Sequence, residues 1–99
     1  MQPDDAFHGL EGLKHLPTAI VPRIWTETYA DEIWFCPTEP AYVLARGIAR
    51  AEGLLVGHSS GAALWAVERL AQTVSEGVVV TVFPDSGDRY LSTGLYGPR

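Results

Sequence analysis

From residue 31 onward the apolar positions alternate between strand-like and helix-like spacing. Glu32-Ile33-Trp34-Phe35-Cys36 is a short run rich in β-forming side chains, ended by Pro37. Thr38 then stands where an N-cap belongs, with Pro40 in the first turn, and Ala41, Leu44, Ala45 and Ile48 recur at helical spacing. Arg46 and Arg50 lie toward the end that the helix dipole makes negative, and Gly53 supplies a stop. Leu54-Leu55-Val56 reads as a second, very short strand. After Gly57-His58-Ser59-Ser60-Gly61, a helix starting near Ser60 carries Ala63, Val67, Leu70 and Val74 on one face. Beyond Gly77, residues 78–83 are apolar on both faces, as in a strand of a parallel sheet covered by helices. The order β-α-β-α-β predicts an α/β fold, a partial layer of parallel strands with flanking helices and ligand groups at the C-terminal strand ends.

Residues 1–30 are different. Pro3, Gly9, Gly12, Pro17 and Pro22 punctuate them, and they read as an irregular loop segment ahead of an α/β part at 31–99. A loop of that length belongs either to a functional segment or to a piece that packs on something outside the chain.

Composition narrows the function classes. The 99 residues are 46% hydrophobic and 19% charged, enough for one modest core. A net charge of −5, with the seven basic residues scattered, disfavours a nucleic-acid or anionic-membrane partner. No apolar run approaches the ~20 residues of a membrane helix, and the acidic start lacks the pattern of a secretory signal. Cys36 alone allows no intrachain disulfide, so a cytoplasmic location is expected. His8 and His15, seven apart, have no carboxylate or thiolate spaced to complete a metal site.

Two stretches carry chemistry. In Gly57-His58-Ser59-Ser60-Gly61 a strand, a tight turn and a helix start meet, so backbone N–H groups and hydroxyls converge. From local pattern alone the segment reads first as a helix cap that needs no ligand. It also fits G-x-S-x-G, the nucleophile elbow of α/β-hydrolases, with Ser59 as nucleophile. That order requires a histidine after the serine, and His8, His15 and His58 all precede it. The second stretch, Pro84-Asp85-Ser86-Gly87-Asp88-Arg89-Tyr90-Leu91-Ser92-Thr93, leaves the end of the last apolar run, where a ligand loop or a simple Asx or Ser turn is expected.

Together with Glu52-Gly53-Leu54-Leu55-Val56-Gly57 and Ser59-Ser60-Gly61-Ala62-Ala63, these stretches resemble the C-terminal signature of the fold-type II pyridoxal-phosphate enzymes of the cysteine synthase group. His8-Gly9-Leu10-Glu11-Gly12 and Ile20-Val21-Pro22 resemble the preceding active-site loop of the cysteine synthase B branch. The resemblance implies β-replacement chemistry: O-acetylserine or a related activated serine loses its leaving group and sulfide or another thiol adds. It implies that Ser59 hydrogen-bonds the pyridine nitrogen of pyridoxal 5'-phosphate, that Pro84 and Asp85 lie beside the same ring edge, and that Gly9 borders the substrate side. It further implies a homodimer in the complete protein and a small amino-acid substrate. The Schiff-base lysine, the phosphate loop and the substrate-carboxylate loop of the family do not match anything here, and Lys14, the one lysine, stands in a loop-like setting. The chain is therefore expected to correspond to the last third of such an enzyme, inactive without the missing N-terminal part. Two alternatives are a non-catalytic remnant or complementing module, and a hydrolase fragment using Ser59.

Overall fold

The computed structural model describes residues 1–90 and 95–96. Two α-helices dominate: α1 at Thr38–Glu52 and α2 at His58–Ala71. They pack on each other through small residues, Ala41 and Ala45 from α1 and the buried first turns of α2 from His58 to Ala63. The contact is close because Gly61 lacks a side chain. A Cβ there would collide with the Ala41 carbonyl oxygen and meet the Ala45 Cβ at 3.1 Å. Gly53 ends α1 in the left-handed conformation, φ 69°, its N–H donating to Ala49 O at 3.1 Å, as its position in the sequence predicts.

A two-stranded parallel sheet flanks this pair: β1 at Gln2–Pro3 and β2 at Phe35–Cys36, with Gln2 opposite Phe35 and Pro3 opposite Cys36. Strand β1 lies inside the segment expected to be irregular. Its ladder is compatible with proline, because Gln2 donates to Trp34 O at 2.8 Å and Asp4 to Cys36 O at 3.1 Å. Pro3 therefore occupies the position whose N–H the ladder does not need. Of the rest of residues 1–30, only Glu27–Tyr29 forms a helical turn, of 3-10 type.

The core divides into two clusters. Leu10, Cys36, Ala41 and Ala62 are buried together, with Leu13, Tyr42 and Trp65 against them. Ala45, Val56 and Leu95 form the other, covered by Tyr42, Ile48, Phe83 and Tyr96. Tyr42 touches both and joins them.

The α/β class and the order of the helices follow the sequence pattern, while four details differ. The N-cap of α1 is Pro37 rather than Thr38, and α2 begins two residues earlier than Ser60, capped by Gly57. Leu54-Leu55-Val56 makes no strand ladder; Val56 forms one antiparallel bridge with Ser86. Residues 78–83 belong to no strand among the described residues, and Val78, Val80 and Val82 are 92%, 84% and 71% exposed. The physical reason is the same in both cases. A strand buried on both faces needs hydrogen-bonding neighbours on its edges and apolar layers on its faces, and here only Val79 and Phe83 find partial cover.

Candidate functional site

The buried start of α2 is the point where distant segments converge. Its first helical bond runs from Gly61 N–H to Gly57 O at 3.2 Å, so the N–H groups of the preceding residues end at the positive pole of the helix. Ser59 is 6% exposed and Ser60 fully buried. The Ser60 Oγ has no hydrogen-bond partner among the described residues, an uncommon state for a buried hydroxyl.

The turn containing Pro84 and Asp85 lies directly against this helix start. Gly57 donates to Asp85 O at 3.4 Å, Gly87 donates to Leu55 O at 2.9 Å, and Ser86 Oγ donates to Leu55 O at 3.4 Å. Gly87 permits the approach, since a Cβ there would stand 2.6 Å from Val56 O and 2.9 Å from Leu55 Cγ. Tyr96 secures the other side: its hydroxyl accepts from Val56 N–H at 3.0 Å and donates to Val56 O. One side chain thus satisfies both backbone groups of a residue that has no ladder neighbour there.

Residues 8–12 reach the same helix start from the opposite direction. Glu11 N–H donates to His58 Nδ1 at 3.2 Å, and the Tyr42 hydroxyl donates to Gly9 O at 2.5 Å. Gly9 N–H donates to Thr38 Oγ1 at 3.2 Å. The threonine expected to cap α1 spends its hydroxyl on this loop instead. The Tyr42 and His58 rings lie 5.1 Å apart, inclined at 33°. Gly9, Ser59, Pro84 and Asp85 are therefore drawn toward one region, while Lys14 is exposed on the surface. Residues Leu91, Ser92 and Thr93 of the second stretch lie outside the described residues.

The electrostatics favour a neutral histidine. Burial lowers the His58 pKa from its ordinary 6.5, against the opposing pull of the Glu11 and Asp85 charges. The Glu11 carboxylate oxygen is 3.8 Å from Nδ1, but the shorter bond from the Glu11 backbone N–H needs that nitrogen unprotonated, which puts the proton on Nε2. With Nδ1 engaged in this way, His58 is a packed neighbour of the turn. The Nδ1 atoms of His8 and His15 are likewise engaged, by Leu10 N–H at 3.2 Å and Thr18 Oγ1 at 2.8 Å. None of these contacts forms the serine–histidine pair that a hydrolase needs.

Sequence reasoning missed Thr38, Tyr42 and Tyr96 as parts of this region. Tyr42 gives a faint signal, a hydroxyl beside Ala41 at the edge of an apolar helical stripe, where a buried phenol needs a partner. No group of three or more metal-ligating side chains occurs among the described residues, and no helix among them is long and apolar enough to cross a membrane.

No family model matches the chain. It is 48% identical over 103 residues to the cysteine synthase of Aquifex aeolicus, covering 100% of this chain and 32% of that relative. It is 46% identical over 77 residues to the O-acetylserine dependent cystathionine β-synthase of Bacillus subtilis, covering 77% of this chain and 25% of that protein. The solved O-acetylserine dependent cystathionine β-synthase of Helicobacter pylori superposes with a TM-score of 0.78 at 39% identity, over 90% of this chain and 28% of that one. The chain spans a quarter to a third of the length of these curated relatives, and the solved neighbours match it in their C-terminal part.

Proposed function

Because the chain belongs to the cysteine synthase family of fold-type II pyridoxal-phosphate enzymes, we propose that it forms the ring-facing part of a β-replacement site. That site makes L-cysteine from O-acetylserine, or a related activated serine, and a sulfur donor. The observation that carries the reading is the junction at the start of α2, where Ser59 and Ser60 stand buried against the turn of Pro84, Asp85 and Ser86.

The residues present fit the cofactor. A buried Ser60 hydroxyl without a partner among the described residues, next to Ser59 at the positive pole of a helix, suits a polar heteroaromatic ring better than an apolar filling. Pyridoxal 5'-phosphate, when bound, supplies the electron sink that loosens the Cα proton and the β substituent of an amino acid. Ser59 would hold the ring by donating its hydroxyl to the pyridine nitrogen. A neutral hydroxyl, unlike a carboxylate, does not stabilise a proton there, which keeps the sink modest and suits loss of a β substituent. Pro84 and Asp85 would border the same ring edge. Gly9, whose two backbone groups are tied to Thr38 and Tyr42 of α1, would border the substrate side.

Lys14 is exposed and is the only lysine, so the covalent anchor of the cofactor comes from outside these residues, as do its phosphate loop and the loop for the substrate carboxylate. Alone the chain is inactive. Completed by the missing N-terminal part of the enzyme, it works in a cytoplasmic homodimer. A second reading, a non-catalytic module that complements a partner, draws on the exposed Val78, Val80 and Val82.

The test replaces the matching C-terminal segment of the Aquifex aeolicus cysteine synthase with this chain. The chimera is expected to hold the cofactor, seen by its visible absorbance, and to form cysteine from O-acetylserine and sulfide. Ser59→Ala should lower turnover about 3- to 10-fold, the worth of one hydrogen bond. A folded chimera that holds no cofactor sinks the enzyme reading and leaves the complementing module.

A further inference from the structure

His58 stands one residue before Ser59 and holds, through its ring, the loop that carries Gly9. It is 1% exposed, its Nδ1 accepts the Glu11 N–H at 3.2 Å, and its ring lies against Tyr42. Tyr42 and Thr38, from α1, take the two backbone groups of Gly9. Residues 8–12 have no strand ladder of their own, so these three side chains, together with Leu10 buried against Cys36, Ala41 and Ala62, set where the loop sits. The fit is close: a Cβ on Gly9 would stand 2.7 Å from the Tyr42 hydroxyl and 3.0 Å from the Thr38 methyl. An aliphatic side chain at position 58 could fill the space beside Tyr42 but would offer Glu11 N–H no acceptor.

We propose that His58 is a positioning residue of the β-replacement site, locking the loop of residues 8–12 to the first turn of α2 so that Gly9 and Ser59 keep a fixed separation. The proposal rests on the reading of Ser59 and Gly9 given above. The lock requires Nδ1 without a proton. Among the groups that face the ring are the Glu11 carboxylate at 3.8 Å, the Asp85 carboxylate, whose charge acts on it, and the Tyr42 ring. When the ring takes a proton from solvent, Nδ1 becomes a donor, releases the Glu11 N–H and turns to the Glu11 carboxylate. The backbone of the loop then loses its tie to α2, while the carboxylate contact keeps the histidine where it is.

Two measurements test this. On the 99-residue chain, long-range proton–nitrogen correlation of the His58 ring should report an unprotonated Nδ1 at neutral pH, with slow exchange of the Glu11 amide proton. Acidification should move the Glu11, Gly9 and Ser59 amide signals with one shared midpoint. His58→Asn, whose Oδ1 can accept in place of Nδ1, should keep the Glu11 amide protected, and His58→Leu should expose it. Equal Glu11 exchange in the native chain and His58→Leu overturns the lock, as does a Ser59 signal that ignores the shared midpoint. In the Aquifex chimera, His58→Leu should raise KM for O-acetylserine several-fold with the cofactor absorbance unchanged, and His58→Asn should restore it. A chimera that holds cofactor and has the same KM with leucine at position 58 overturns this proposal alone. One that holds no cofactor overturns the parent reading, and the placing of His58 at such a site with it.

Discussion

The carbonyl oxygen of Ala41 in α1 occupies the space that a side chain on Gly61 in α2 would need. The glycine of the Ser-Ser-Gly run is thus accounted for by helix packing. It brings the backbone of α1 against the first turns of α2 and so fixes where Ser59 and Ser60 stand.

Gly61→Ala should therefore destabilise the chain by about 1–3 kcal/mol, the usual cost of overpacking, since the group to be displaced is backbone. Gly47, on the exposed side of α1 with nothing within 4 Å of a built Cβ, gives the opposite expectation. Gly47→Ala should stabilise by about 0.5–1 kcal/mol through helix propensity. Urea unfolding of the two variants checks the sign of each. Equal effects would refute the packing argument.

Tyr96 holds both backbone groups of Val56 with one hydroxyl. Tyr96→Phe keeps the ring against the cluster of Ala45, Val56 and Leu95 but removes both bonds, and should cost about 1–3 kcal/mol. Hydrogen exchange at the Val56 amide should quicken in parallel; an unchanged amide would mean the hydroxyl is not its partner in solution.

Cys36 is fully buried, and burial, with Asp4 adding to it, pushes its thiol up from 9.0 to about 12. At neutral pH it is a thiol and has no access to reagent. Iodoacetamide should leave Cys36 unmodified in the native chain and alkylate it in urea, with mass spectrometry reading the adduct. Rapid labelling of the folded chain would contradict the burial.

The stability of the chain should fall in mild acid because of His58. Its pKa is lower folded than unfolded, so the unfolded chain binds the extra proton first and stability rises with pH. The contribution is complete above the ordinary histidine value of about 6.5, declines as pH falls toward the lower folded value, and is constant below it. His58→Asn should flatten that part of the curve, measured as thermal midpoints from pH 7.5 to 5. A slope unchanged by the substitution would assign it to other groups.

Val78, Val80 and Val82 are all exposed within five residues, the kind of apolar surface that drives association. Replacing the three by lysine should leave the unfolding midpoint nearly unchanged, because the side chains bury little here, while lowering binding of a hydrophobic dye and self-association by light scattering. A large loss of stability would mean this surface is covered in solution.

The apolar period and the punctuating residues determine much of this protein. Ala41 and Ala45 at helical spacing and Gly53 after them specify α1 and its end, and Ser-Ser-Gly before an apolar run specifies α2, because helix signals act over three or four residues. The two stretches that resemble the cysteine synthase signature were legible for the same reason, as contiguous motifs. Tertiary structure decided the rest. Thr38 looks like a cap and instead binds Gly9, Tyr42 reaches Gly9 O across 33 positions, and His58 reaches Glu11 N–H across 47. Gln2 and Pro3 become a strand only because Phe35 and Cys36 lie beside them, whereas residues 78–83 carry the stronger strand pattern and find no ladder among the described residues. Local periodicity encodes the conformation a segment prefers and which face is apolar. Which backbone groups meet across tens of residues is set by the packing of α1 on α2, and no short window of the sequence contains that information.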